Sequence, residues 1–143
     1  MWCRLKNWFR SFQTYDDLSP DLGVRRRVNQ RLRQRPALVH SVWFESCCRP
    51  LGISSAIAQF GYQHLAQYSG LSFAHVLPSD RLEEDLRWTA VCWFDWQLHL
   101  CEDVWQAFGV DLSDRLDQIE AGTVADLLVF LQQQVYSNVA PAS

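Results

Sequence analysis

In the stretch VCWFDWQLHLCEDVWQAF, Asp95, His99 and Asp103 stand four residues apart, and on a helix that spacing brings them to one face. Such a trio can hold a metal ion or let a carboxylate orient an imidazole. The same face also carries Glu102 and Gln106, so the plainer reading is a solvated polar face with one histidine on it. Cys92 and His99 are a second pair with nucleophilic potential. Their seven-residue separation is two helical turns, about 10 Å, which is too far for a thiol to meet its base. His40, His64 and His75 stand alone along the chain, and no G-x-G-x-x-G, P-loop, G-x-S-x-G or H-E-x-x-H pattern occurs. The expectation is a protein that is not an enzyme and that carries no metal or cofactor.

The elements that must position these residues read as helices. Apolar residues recur at three and four, no period-two run of β-branched residues interrupts them, and the fold class expected is all-α. Ser19-Pro20 has the form of a helix start. The arginine-rich segment after it should end or kink at Pro36, which can open the next helix through Trp43 to about Cys48. Pro50 and Gly52 mark a boundary. From Ser54 to Ser69, the residues Ala56, Ile57, Phe60, His64, Leu65 and Tyr68 form one face, and Gly70 ends the helix. A loop then leads to the tryptophan-rich helix 88–108. After Gly109, Ser113 or Asp114 can cap a short helix, and Thr123 caps the last one, with Asp126 in the capping-box position. Val124, Leu127, Leu128, Leu131 and Val135 form the buried stripe of that last helix.

The 143 residues, 48% of them hydrophobic, suffice for one domain with an extension. We expect a basic helical extension over residues 1–50, a helical domain over 51–137 and a frayed tail over 138–143. No apolar run is long enough for a membrane span and no secretory core is present, so a cytoplasmic location is expected. Five cysteines form an odd set with no C-x-x-C pair, and we read them as reduced core residues.

The net charge of −3 hides a division. Residues 1–49 carry ten Lys/Arg against four acids, a surplus of +6, whereas residues 50–143 carry three bases and twelve acids, a surplus of −9. Arg25, Arg26, Arg27, Arg31 and Arg33 are candidate contacts to a partner. A self-paired helix or an acidic protein partner suits them better than nucleic acid, because the acidic domain repels a polyanion and no aromatic residue is interleaved for base stacking. Residues 1–12, with Trp2, Leu5, Trp8, Phe9 and Phe12 on one face, fit a weak peripheral membrane contact or a docking peptide.

On a helical wheel, Phe94, Leu98, Cys101, Trp105 and Phe108 share one stripe, taken as core-facing. Trp93, Trp96, Leu100, Val104 and Ala107 form a second stripe beside it. Its cover comes either from the N-terminal extension or from an external partner, another protein or a second copy, and Trp93, Trp96 and Leu100 are the candidate contacts.

The order SDRLEEDL, a long helix ending in FGVDLSD, an isoleucine, and GTVADLLVFL resembles an acyl carrier protein over Ile53–Val135. The resemblance implies a carrier-like four-helix bundle. It also implies phosphopantetheine attachment at a serine heading the second helix, and that residue is missing: Ala90 or Phe94 falls there, depending on which end the alignment is counted from. Thr89 is the only hydroxyl nearby. Ser55, in LGISSAIAQF, offers a rival register without the family's aspartate. The reading is therefore a non-catalytic interaction module of adaptor, assembly or regulatory type, with no prosthetic group. Two alternatives are a true carrier modified at Ser55 or Thr89, and a basic-arm binder of nucleic acid or an anionic membrane.

Overall fold

The computed structural model describes residues 20–116 and 122–139, and within them the chain forms six α-helices and no strand, with one isolated bridge between Arg81 and Thr123. The expected surface helix of residues 1–12, Cys3, Ser19 and most of the short helix before Thr123 lie outside the described residues. Helix α1 spans Leu22–Leu32. Asp21 starts it by accepting the Val24 N–H at 3.1 Å, which satisfies one of the donors left open at a helix start. The helix ends before Pro36, and Pro36 does not open the next one. Helix α2, His40–Trp43, begins after Val39, widens into a π-helical turn over Phe44–Cys48 and tightens into a 3-10 turn over Arg49–Leu51.

Helix α3, Ser55–Ser69, is capped by the Ser54 hydroxyl, which accepts the Ile57 N–H at 3.3 Å, and it closes at Gly70 with φ 68°. A short 3-10 turn, Phe73–His75, precedes the loop that leads to helix α4, Trp88–Val91, and helix α5, Trp96–Phe108. Helix α6, Val124–Val139, starts with the expected capping box: Asp126 N–H donates to Thr123 Oγ1 at 3.1 Å, and Thr123 N–H donates to Asp126 Oδ2 at 3.0 Å. The helix continues through Asn138 and Val139, which had been assigned to the tail.

Helix α3 is the central element, packing against α5, α6 and the π-helical turn. Gly61 allows the approach to α6, since a Cβ there would overlap the Leu128 side chain. The stripe Val124, Leu127, Leu128, Leu131 and Val135 is buried as expected. Residues of the basic arm belong to the same core: Val24, Val28 and Leu32 of α1 and Trp43 of α2 join Ile57, Leu65, Leu86, Leu100 and Leu127 in one cluster. The Trp43 indole N–H donates to the Val76 carbonyl at 2.7 Å, which settles the polar atom of a fully buried ring.

Candidate interaction surface around the tryptophan helices

The expected single helix over residues 88–108 is two helices with a break at Cys92–Asp95. A continuous helix would give the carbonyls of Ala90 and Val91 to the N–H groups of Phe94 and Asp95. Both carbonyls are taken instead by the start of α1. Asp21 N–H donates to Ala90 O at 2.8 Å, and Arg25 Nη2 donates to Val91 O at 2.6 Å. Val91 and Cys92 are buried at this junction. The basic arm therefore occupies the carbonyls at the end of α4, and α5 restarts at Trp96 on a new phase.

That restart turns the tryptophans relative to expectation. Leu100, Cys101 and Val104 are the buried residues of α5, so the buried centre lies between the two stripes, about 75° from the first on a 100° per residue wheel. Trp105, taken as core, is 58% exposed, and Phe94, Leu98 and Phe108 are only partly buried. Leu100, taken as a partner contact, is fully buried and offers nothing to a partner. Trp93 is 46% exposed, in the break. Trp96 is half-buried and packs edge-on against the buried Trp88, with ring centroids 5.7 Å apart. Trp105 walls a surface recess of about 240 Å³ together with Cys101, Glu102, Gln106 and Asp111.

The polar trio of α5 is divided. His99 Nε2 lies 3.3 Å from Asp95 Oδ2, while Asp103 turns to α3, where it accepts the Tyr68 hydroxyl at 2.5 Å and lies 3.2 Å from His64 Nδ1. Burial, followed by the hydrogen bond to Asp103, pushes the Tyr68 phenol well above its ordinary range. Among the described residues no group of three or more His, Cys, Asp and Glu is placed to hold a metal. Cys48, Cys92 and Cys101 are buried free thiols. Burial pushes Cys48 and Cys101 up to about 12 and raises Cys92 as well, which suits packing rather than nucleophilic work.

The arginines sort by position. Arg25 holds the Val91 carbonyl, Arg31 Nη2 reaches the Asp85 carbonyl at 2.9 Å, and Arg35 pairs in two places with the buried Asp80 carboxylate, at 2.7 and 3.0 Å. The arm thus docks through backbone carbonyls as much as through carboxylates. Arg26 and Arg33 face solvent. Arg27 and Arg31 line a groove of about 490 Å³ with Val24, Val28, Gln30, Gln34, Glu84 and Arg87. Sequence reasoning missed Arg87, whose left-handed backbone (φ 55°) has no signal in a non-glycine residue. It also missed the Tyr68–Asp103 bond, which joins helices 35 residues apart in the chain.

Of the two hydroxyls considered for modification, Ser55 is exposed in the first turn of α3. Thr89 is tied down, with both its N–H and its hydroxyl donating to Glu83 Oε1. No helix among the described residues is long and apolar enough to cross a membrane. No protein-family model, curated protein or solved structure matches the chain.

Proposed function

We propose that this protein is a non-catalytic interaction module with an acyl-carrier-like arrangement of α3, α5 and α6, that it carries no prosthetic group, and that it docks another protein through the surface around α5. The observation that carries the reading is the exposure of two tryptophans, Trp93 in the break and Trp105 on α5, at 46% and 58%, while the other large apolar residues of α5 are buried or half-buried. Large aromatic side chains are the commonest anchors where proteins bind each other. The carrier-like part of the reading is supported by the order of its signals: α5 ends at Gly109 with φ 70°, a polar DLSD turn follows, and a Thr-Asp capping box opens α6. The break at Cys92–Asp95 falls where a carrier would place its attachment serine, and the chain has none there.

Two measurements test this. Incubation with a broad-specificity phosphopantetheinyl transferase and coenzyme A should leave the intact mass unchanged. A gain of one phosphopantetheine, abolished by Ser55→Ala or by Thr89→Val, would make the protein a true carrier. Trp93→Ala and Trp105→Ala should reduce association with whatever protein, or second copy, co-purifies with the native chain, while leaving the melting temperature nearly unchanged. Undiminished association in both variants would sink the docking surface.

A further inference from the structure

The groove between α1 and the turn before α4 has no part in that docking surface. Arg27, Arg31 and Arg87 line it together with the carboxylate of Glu84 and the buried Val24 and Val28. We propose that it binds a phosphorylated small molecule, whose phosphate group sits among the guanidinium groups of Arg27, Arg31 and Arg87.

Four observations support this. The acids nearest the groove are already engaged: Glu83 holds Thr89, Glu84 pairs with Arg81, and Asp85 accepts the Arg81 N–H at 2.8 Å. Among the described residues none of the three lining arginines forms an ion pair with a carboxylate. Second, Arg31 spends one nitrogen on the Asp85 carbonyl, which fixes the direction of its fork and leaves its other donors free. Third, Arg87 is the one described non-glycine residue with positive φ, a conformation that L side chains rarely adopt. Its backbone is held there by two hydrogen bonds, Arg87 N–H to Glu83 O and Trp88 N–H to Leu82 O. Fourth, the groove volume of about 490 Å³ matches a small molecule rather than a polymer track. The surplus of −9 over residues 50–143 disfavours a long polyanion in the same place. A compact dianion meets three guanidinium groups against one lining carboxylate, Glu84, which Arg81 pairs.

Calorimetric titration of the full chain at physiological salt tests the proposal, with phenyl phosphate, inorganic phosphate, phenol and a short DNA duplex as probes. Phenyl phosphate should bind once per chain, more tightly than inorganic phosphate, with no heat from phenol. Arg27→Gln and Arg87→Gln should each weaken it by about tenfold or more, whereas Arg26→Gln and Arg33→Gln, outside the groove, should leave it unchanged. If Arg87→Gln does not fold by circular dichroism, Arg27→Gln carries the test, since Arg27 is exposed. Equal losses at Arg26 or Arg33, tighter binding of the duplex, equal affinity for inorganic phosphate, or no heat from phenyl phosphate at millimolar concentration would each overturn the proposal.

Discussion

Leu100 and Trp105 exchange the parts that their side chains suggest. Leu100 is fully buried between helices, so Leu100→Ala should cost about 2–5 kcal/mol by removing transfer energy and opening a cavity. Trp105, mostly in water, should lose less than about 1 kcal/mol on substitution by alanine. Urea unfolding of the two variants side by side checks this, and a larger loss at Trp105 would place its ring in the core after all. Two carboxyls bear on stability in acid. Asp111 is held below the ordinary carboxylate range, first by the Ser113 hydroxyl and then by the Ser113 N–H. Asp85 is held down first by the Arg81 N–H. Their folded pKa values lie below the unfolded ones, so the stability they bring is present above the unfolded value of 3.8 and is lost as pH falls through the folded values. Asp111→Asn should therefore flatten the fall in melting temperature below about pH 4 and matter little near neutrality. An unchanged acid limb in that variant would remove Asp111 from the account.

Helix α1 works as a cap for other elements more than as a helix for itself. Its inward polar groups reach carbonyls and an N–H on the far side, Arg25 to Val91 O, Asn29 to Gly70 O at 3.0 Å and to Ser72 N–H at 2.9 Å, and just past its end Arg35 reaches His75 O and the Asp80 carboxylate. Arg25→Ala would leave the Val91 carbonyl unpaired beside a buried side chain and should cost about 1–3 kcal/mol. If instead the freed carbonyls draw Phe94 and Asp95 into helix, the variant should gain helical circular dichroism while losing stability. No change in either signal would mean that the break at Cys92–Asp95 is intrinsic to its own residues. The sequence signals that proved reliable were the local ones. Gly70, Gly109 and the Thr123–Asp126 box each act within one turn of chain, and the α6 stripe keeps one unbroken phase from Val124 to Val135. The break was not legible, because the groups that take the Ala90 and Val91 carbonyls, at Asp21 and Arg25, lie far away in the chain. The stripe assignment failed with it: a wheel drawn through a break carries the wrong phase onward, and an apolar arc this wide permits several buried centres. For the candidate site, the arginines and tryptophans were visible as residue types. Which of them meet solvent depended on tertiary contacts.

Val24, Val28, Leu32 and Trp43 of the basic arm share one hydrophobic core with α3, α5 and α6 among the described residues. Deleting residues 1–37 should not release a stable domain. It should give a product that melts without cooperativity or aggregates, since it takes Val24, Val28 and Leu32 out of the shared core, frees the Ala90 and Val91 carbonyls and leaves the Asp80 carboxylate without Arg35. A cooperative transition in that truncation, at nearly the native temperature, would make α1 a dispensable accessory. The surrender of Ala90 and Val91 carbonyls to Asp21 and Arg25 also has a meaning in time. A ribosome delivers α1 well before Trp88, so the competitor for those carbonyls is already outside the exit tunnel when the tryptophan segment emerges. Synthesised in the opposite order, as in a circular permutant that places residues 20–37 last, the same segment would wind into one uninterrupted rod first and would have to unwind a turn before α1 could dock. Such a permutant should refold with an added slow phase in which ellipticity overshoots and then declines.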